Sequence, residues 1–184
     1  MLFLTSKSQI TFKNDAAYVS YYSGILNEID SISKFDHNND FELRLFVSVD
    51  YFKKGKVFLM ASKKGHWYAK FFESFRDTLT HFKETKIRTD SIAHLWKSLL
   101  NNNVLTIPNS WELRDSINEK PQTQVIDGTN FIIELITKNS KRRYSYHCPK
   151  SMKEEYPYIL AYQNVVTIIK LIYQFCGISN FKVC

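Results

Sequence analysis

Phe41-Glu42-Leu43-Arg44-Leu45-Phe46-Val47-Ser48-Val49 is the stretch on which the fold reading turns. Phe41, Leu43, Leu45, Val47 and Val49 alternate with Glu42, Arg44, Phe46 and Ser48. Side chains on an extended chain point to opposite faces with a period of two, so this pattern predicts a strand with one buried face. It is preceded by Asp36-His37-Asn38-Asn39-Asp40, a polar break, and before that by a different period. Tyr18, Tyr22, Ile25, Leu26, Ile29 and Ile32 recur at three- and four-residue steps, predicting a helix from Asn14 or Asp15 to about Lys34.

Downstream the period of two continues. A turn at Lys53-Lys54-Gly55 leads to a strand over 57–61, and Lys63-Lys64-Gly65 turns into another over 66–72. Glu73 to Lys86 fits either a strand continuation or a short helix. Thr89 or Asp90 caps a second helix carrying Ile92, Leu95, Trp96, Leu99 and Leu100, which Asn101-Asn102-Asn103 ends. A short strand over 104–107 stops at Pro108, and the chain to Gln122 reads as loop. Asp127-Gly128 lies between two strand-like runs, 124–126 and 130–137, and predicts a type I′ hairpin. A turn at 138–141 leads to a last strand over 142–147. The final helix starts near Tyr156-Pro157 and ends at Cys176-Gly177, with Gly177 as C-terminal cap.

Short connections imply antiparallel neighbours. The expectation is an α+β fold: one antiparallel sheet of about six to seven strands, arranged as two hairpin or meander units, packed by about three helices. Residues 1–184 form a single domain. The first nine residues, MLFLTSKSQ, read either as a first strand or as the remnant of a secretory signal.

Composition supports a folded protein. Of 184 residues 44% are hydrophobic and 23% charged, with 14 Phe and 11 Tyr against 5 Gly and 4 Pro, which excludes collagen-like and low-complexity chains. A net charge of +7 favours anionic partners without choosing among nucleic acid, anionic lipid, cell-wall polymer or an acidic protein. No run reaches the ~20 apolar residues of a membrane-spanning helix, and the apolar stretch from Tyr158 to Phe175, broken by Gln163, Asn164, Thr167 and Lys170, reads as a core helix.

Chemical motifs are sparse. Asp36 to Asp40 suggests a calcium loop, but the sixth and twelfth positions are Phe41 and Val47 instead of Gly and Glu. The three cysteines, Cys148, Cys176 and Cys184, have no zinc spacing; either all are free, or Cys176 pairs with Cys184 and Cys148 is left over. His147-Cys148 places its two side chains on opposite faces of a strand, which argues against a nucleophile–base pair. No hydrolase, metalloprotease or phosphate-loop motif occurs. Carboxylate pairs distant in sequence stay open, with Glu42, Glu73, Glu112 and Glu134 as candidates. No catalytic residue, cofactor or metal is assigned, and the reading leans towards a non-enzyme.

Binding residues are easier to nominate. The segment Lys141-Arg142-Arg143-Tyr144-Ser145-Tyr146 sets cations beside tyrosines, a combination that contacts phosphates and stacks bases where the rings are exposed. If the rings are core, the cations decorate a solvated turn. Lys63 and Lys64, with Trp67, make a second basic-aromatic turn. If these and the 53–56 turn project from one sheet end, they form a cationic rim for an acidic partner. Trp67, Trp111, Arg143 and Tyr144 would anchor a protein interface, since Trp, Tyr and Arg dominate binding hot spots.

Leu95-Trp96-Lys97-Ser98-Leu99, Asp127-Gly128-Thr129-Asn130-Phe131 with Glu134, and Arg143-Tyr144-Ser145-Tyr146-His147-Cys148-Pro149, followed by the apolar helix, resemble a pattern in small bacterial proteins. Some of those look like immunity or accessory proteins of interbacterial toxin systems. The resemblance covers about Ile92 to Gly177 and carries over no functional residue. What it implies is a module that recognises another protein, a toxin or effector. Nucleic-acid binding through the 138–147 hairpin is the alternative, and a hydrolase with an unrecognised site the third. The location expected is periplasm or envelope if residues 1–9 are a signal remnant, and cytoplasm otherwise.

Overall fold

A computed structural model of the chain describes residues 38–49, 54–74, 82–85, 87, 90–117, 128–179 and 184. The residues that read as a first helix and as a signal remnant or first strand lie outside these, as does the run 124–126.

Five long strands and one short one form an open antiparallel sheet, confirming the α+β class. They are β1 (Phe41–Val49), β2 (Lys54–Lys63), β3 (His66–Ser74), the four-residue β4 (Phe82–Thr85), β5 (Asn130–Thr137) and β6 (Lys141–His147). The spatial order is β4-β3-β2-β1-β5-β6. A meander from β1 to β4 therefore joins the β5–β6 hairpin through the β1–β5 pairing, in which Phe41 stands opposite Thr137 and Leu45 opposite Ile133. The β2–β3 turn is tight because Lys64 and Gly65 both take positive φ, 51° and 79°, the geometry of a type I′ hairpin. Asp127 lies outside the described residues. Both edges of β5 are occupied, by β1 and β6.

Four helices are described: α1 (Ile92–Asn101), α2 (Ser110–Ser116), α3 (Pro149–Glu155) and α4 (Leu160–Phe175). The expectation of one final helix is corrected. Pro149 ends β6 and opens α3, and Pro157 sits in the turn between α3 and α4, where it cannot continue a helix ladder. The expected strand over 104–107 is a turn. Asn103 takes φ 57°, Val104 N–H returns to Leu99 O and Ile107 N–H to Asn103 O. Its apolar residues plug the core (Val104 and Ile107 are buried), which imitates the composition of a strand. The segment read as loop contains α2, started by Asn109: Glu112 Oε2 accepts the Asn109 N–H at 2.7 Å, one half of a capping box. At the other end of α4 the reading holds. Gly177 has φ 72°, Gly177 N–H reaches Gln174 O, and Ile178 N–H reaches Tyr173 O, which is a Schellman cap.

The helices cover one face of the sheet. Phe41, Leu43, Leu45, Phe58, Met60 and Phe131 point into a core shared with α1 and α4. Phe41 meets Trp96 at 5.0 Å between ring centroids, and Phe58 meets Phe175 edge-on at 5.9 Å. The prediction of a single buried face on β1 is corrected by the other side. Phe46, Val57, Leu59, Ala61, Phe72 and Ile132 form a second buried cluster there, and Glu42 and Arg44 are buried with them.

Candidate functional site

Strand register assembles the charged residues of that second face. Arg44 on β1 stands opposite Glu134 on β5, which stands opposite Arg143 on β6. Arg44 bridges two carboxylates, with Nη2 2.6 Å from Glu42 Oε2 and Nη1 3.6 Å from Glu134 Oε2. Glu134 also receives Arg143 and, at 3.2 Å, Lys141 Nζ. Glu42 is held at its other oxygen by Asn39 Nδ2 at 2.8 Å, and Asn39 Oδ1 accepts the Tyr68 hydroxyl at 2.9 Å. Glu42, Arg44 and Glu134 are 3%, 1% and 0% exposed, so the ladder is closed to a substrate. It locks three strands in register. Charges this deep are tolerated only when paired.

The basic-aromatic hairpin is engaged in the same way. Arg142 donates to the carbonyls of Leu105 and Ile107, Tyr144 OH to Val104 O at 2.9 Å, and Tyr146 OH to Pro108 O. Four hydrogen bonds thus dock the turn after α1 onto β6. Tyr144 and Tyr146 are buried (0% and 2% exposed), and burial pushes both phenols far above their ordinary range. Base stacking by these rings is corrected: they are core. Asn109 Oδ1 accepts the Ser145 N–H on the outer edge of β6 at 3.3 Å.

The other nominated residues fall in separate places. Trp67 lies half-buried against Trp96 at 5.5 Å and Phe41 at 5.9 Å, a core contact. Trp111 is half-buried on α2, its indole N–H enclosed without a hydrogen-bond partner among the described residues. The rim of three basic turns is also corrected. Lys63 and Lys64 share a sheet end with Lys138 and Lys141, whereas Lys54 and Lys56 pair with Val49 and Val47 at the opposite end. At the shared end Asp40 offsets the lysines. Its carboxylate accepts Lys138 Nζ at 2.9 Å and the Lys64 N–H at 2.6 Å, contacts that hold it below the usual carboxylate range.

The cysteine expectation is overturned. Cys148 is bonded to Cys184, with Cα atoms 4.8 Å apart, and Cys176 is the free one. Spacing around the helix end allowed a Cys176–Cys184 pair, but Cys176 is partly buried against the core beside a void of about 10 Å³, lined in part by Phe58, Ile172 and Tyr173. Burial pushes the Cys176 thiol up to about 12. Among the described residues no group of His, Cys, Asp and Glu is placed to hold a metal ion, and no helix is long and apolar enough to cross a membrane.

What the sequence reading missed is the corner between α3 and α4. Tyr158 is 72% exposed and Leu160 59%, the large apolar side chains open to solvent among the described residues. Reading 158–175 as one core helix hid them; Pro157 was the signal that the register breaks there. Their backing is rigid. Tyr158 meets Tyr156 edge-on at 6.3 Å, Tyr156 stacks on Tyr162 at 6.4 Å, and Gln163 Nε2 donates to Pro157 O at 2.6 Å.

Compared with known protein families and with curated proteins, the chain matches no family model and no curated sequence.

Proposed function

We propose that the chain is a non-enzymatic protein-recognition module that binds its partner through the α3–α4 corner, with Tyr158 and Leu160 as anchors. The observation that carries this is the pairing of two exposed apolar side chains with a fixed support. Tyrosine presents a large amphipathic contact area with little rotamer freedom to lose, and here its ring is held by Tyr156. Lys150, paired with Glu154 at 3.8 Å, is exposed on α3 and Lys170 on α4, and the whole chain carries +7. The partner that fits is a protein with an apolar pocket in an acidic surface. A toxin or effector agrees with the resemblance to immunity-like bacterial proteins, and the Cys148–Cys184 bond agrees with an oxidising compartment such as the periplasm.

The test is capture from the native host by wild type and by Tyr158→Ala/Leu160→Ala, washed at low and at high salt. A protein retained by wild type at high salt and reduced at least tenfold by the variant, at an unchanged melting temperature, supports the reading. Equal capture by both overturns the corner as the interface. Nucleic acid recovered at low salt and lost at high salt overturns protein recognition in favour of phosphate contacts.

A further inference from the structure

The disulfide sits in a polar corner with an uneven exposure. Cys148 is 1% exposed, whereas Cys184 is half-buried, so Cys184 is the half of the bond that reaches solvent. Thr129 N–H points at Cys184 Sγ at 3.0 Å. The pair packs directly on Gly128: a Cβ there would collide with Cys148 Sγ and stand 3.1 Å from both Cys184 Sγ and His147 Cε1. The His147 imidazole therefore lies against the same glycine, its Nδ1 3.0 Å from Asn130 Oδ1. An N–H donor on sulfur favours the thiolate form, the leaving and attacking species in disulfide exchange.

We propose that Cys148–Cys184 is a thiol–disulfide exchange site, entered at Cys184, whose substrate is an external dithiol. A thiolate of the dithiol attacks Cys184 Sγ. The S–S bond breaks and its electron pair leaves on Cys148 Sγ, which takes a proton from solvent. The second thiol of the donor then attacks the mixed disulfide and expels the Cys184 thiolate, which the Thr129 N–H stabilises. The Cys184 thiolate takes up the proton that the donor's second thiol released, so the donor ends as a disulfide and the chain has gained two electrons and two protons. Cys176 stays outside the exchange, because its buried thiol has no thiolate to offer at neutral pH.

Glutathione is the probe, applied to the folded Cys148→Ser and Cys184→Ser variants without denaturant, with adducts mapped by mass spectrometry. Cys148→Ser is expected to take glutathione disulfide at Cys184 at least ten times faster than Cys184→Ser takes it at Cys148, with Cys176 unmodified in both. In wild type, dithiothreitol is expected to reduce the bond while circular dichroism stays native. Equal rates in the two variants, or a wild-type bond that opens only in denaturant, would overturn the proposal and leave a purely structural crosslink.

Discussion

Arg44 of β1 and Glu134 of β5 face each other across the middle of the sheet, Nη1 3.6 Å from Oε2, with both side chains closed to solvent. Arg44 is shared, since it also holds Glu42. Its removal therefore leaves the buried Glu42 to Asn39 and takes one of three cations from Glu134, which keeps Arg143 and Lys141, whereas neutralising Glu134 leaves Arg44 with Glu42.

Arg44→Leu is accordingly expected to destabilise the fold by about 3–5 kcal/mol, the range for breaking a buried ion pair from one side. Glu134→Gln should cost less. Urea denaturation midpoints measure the order; an equal or inverted order would mean that Arg44 is not the hub.

Tyr144→Phe removes the donor to Val104 O and nothing else from the ring's packing. A buried carbonyl left unpaired costs about 1–3 kcal/mol, so a lower melting temperature is expected. Arg142→Ala should act in the same direction by freeing the carbonyls of Leu105 and Ile107. A variant that kept full stability would remove these residues from the docking of the turn on β6.

How far the sequence carried the reading follows from the reach of each signal. Local periodicity placed β1, and the break in it at Lys63-Lys64-Gly65 placed the β2–β3 turn. Gly177 marked the end of α4. Register between β1 and β5 is not local: nothing in Phe41–Val49 alone says that Arg44 will meet Glu134. For that reason the carboxylates were visible as candidates and the ladder was not. The tyrosines of β6 show the same limit, since alternation cannot say which face is covered. Asn109 with Glu112 was a readable capping signal and gives α2. The disulfide depended on where the chain returns after α4, which spacing does not contain.

Burial raises the Cys176 thiol from 9.0 to about 12, so the folded state favours the protonated form. The associated stability is fully present below the unfolded thiol's value near 9 and is lost as pH rises from there towards 12. Wild type should therefore lose stability over that window more steeply than Cys176→Ala. Parallel alkaline melting curves for the two would contradict the burial of the thiol.

Gly128→Ala places a methyl group against Cys148 Sγ. The expected result is loss of the Cys148–Cys184 bond, read as three titratable thiols in place of one under non-reducing conditions. A variant that retained one thiol would show that the corner can move to admit a side chain.

The Asn109 side chain on Ser145 has a consequence for how the protein behaves at high concentration. An open sheet ends in strands whose unpaired N–H and C=O groups invite a second molecule to continue the ladder. Among the described residues one margin of this sheet is β4, only four residues long, and the other is β6, where Asn109 Oδ1 occupies the outward Ser145 N–H. The side chain takes the place that a neighbouring backbone would fill. Asn109 thereby takes away one of the backbone donors through which a second copy would extend the sheet along that margin.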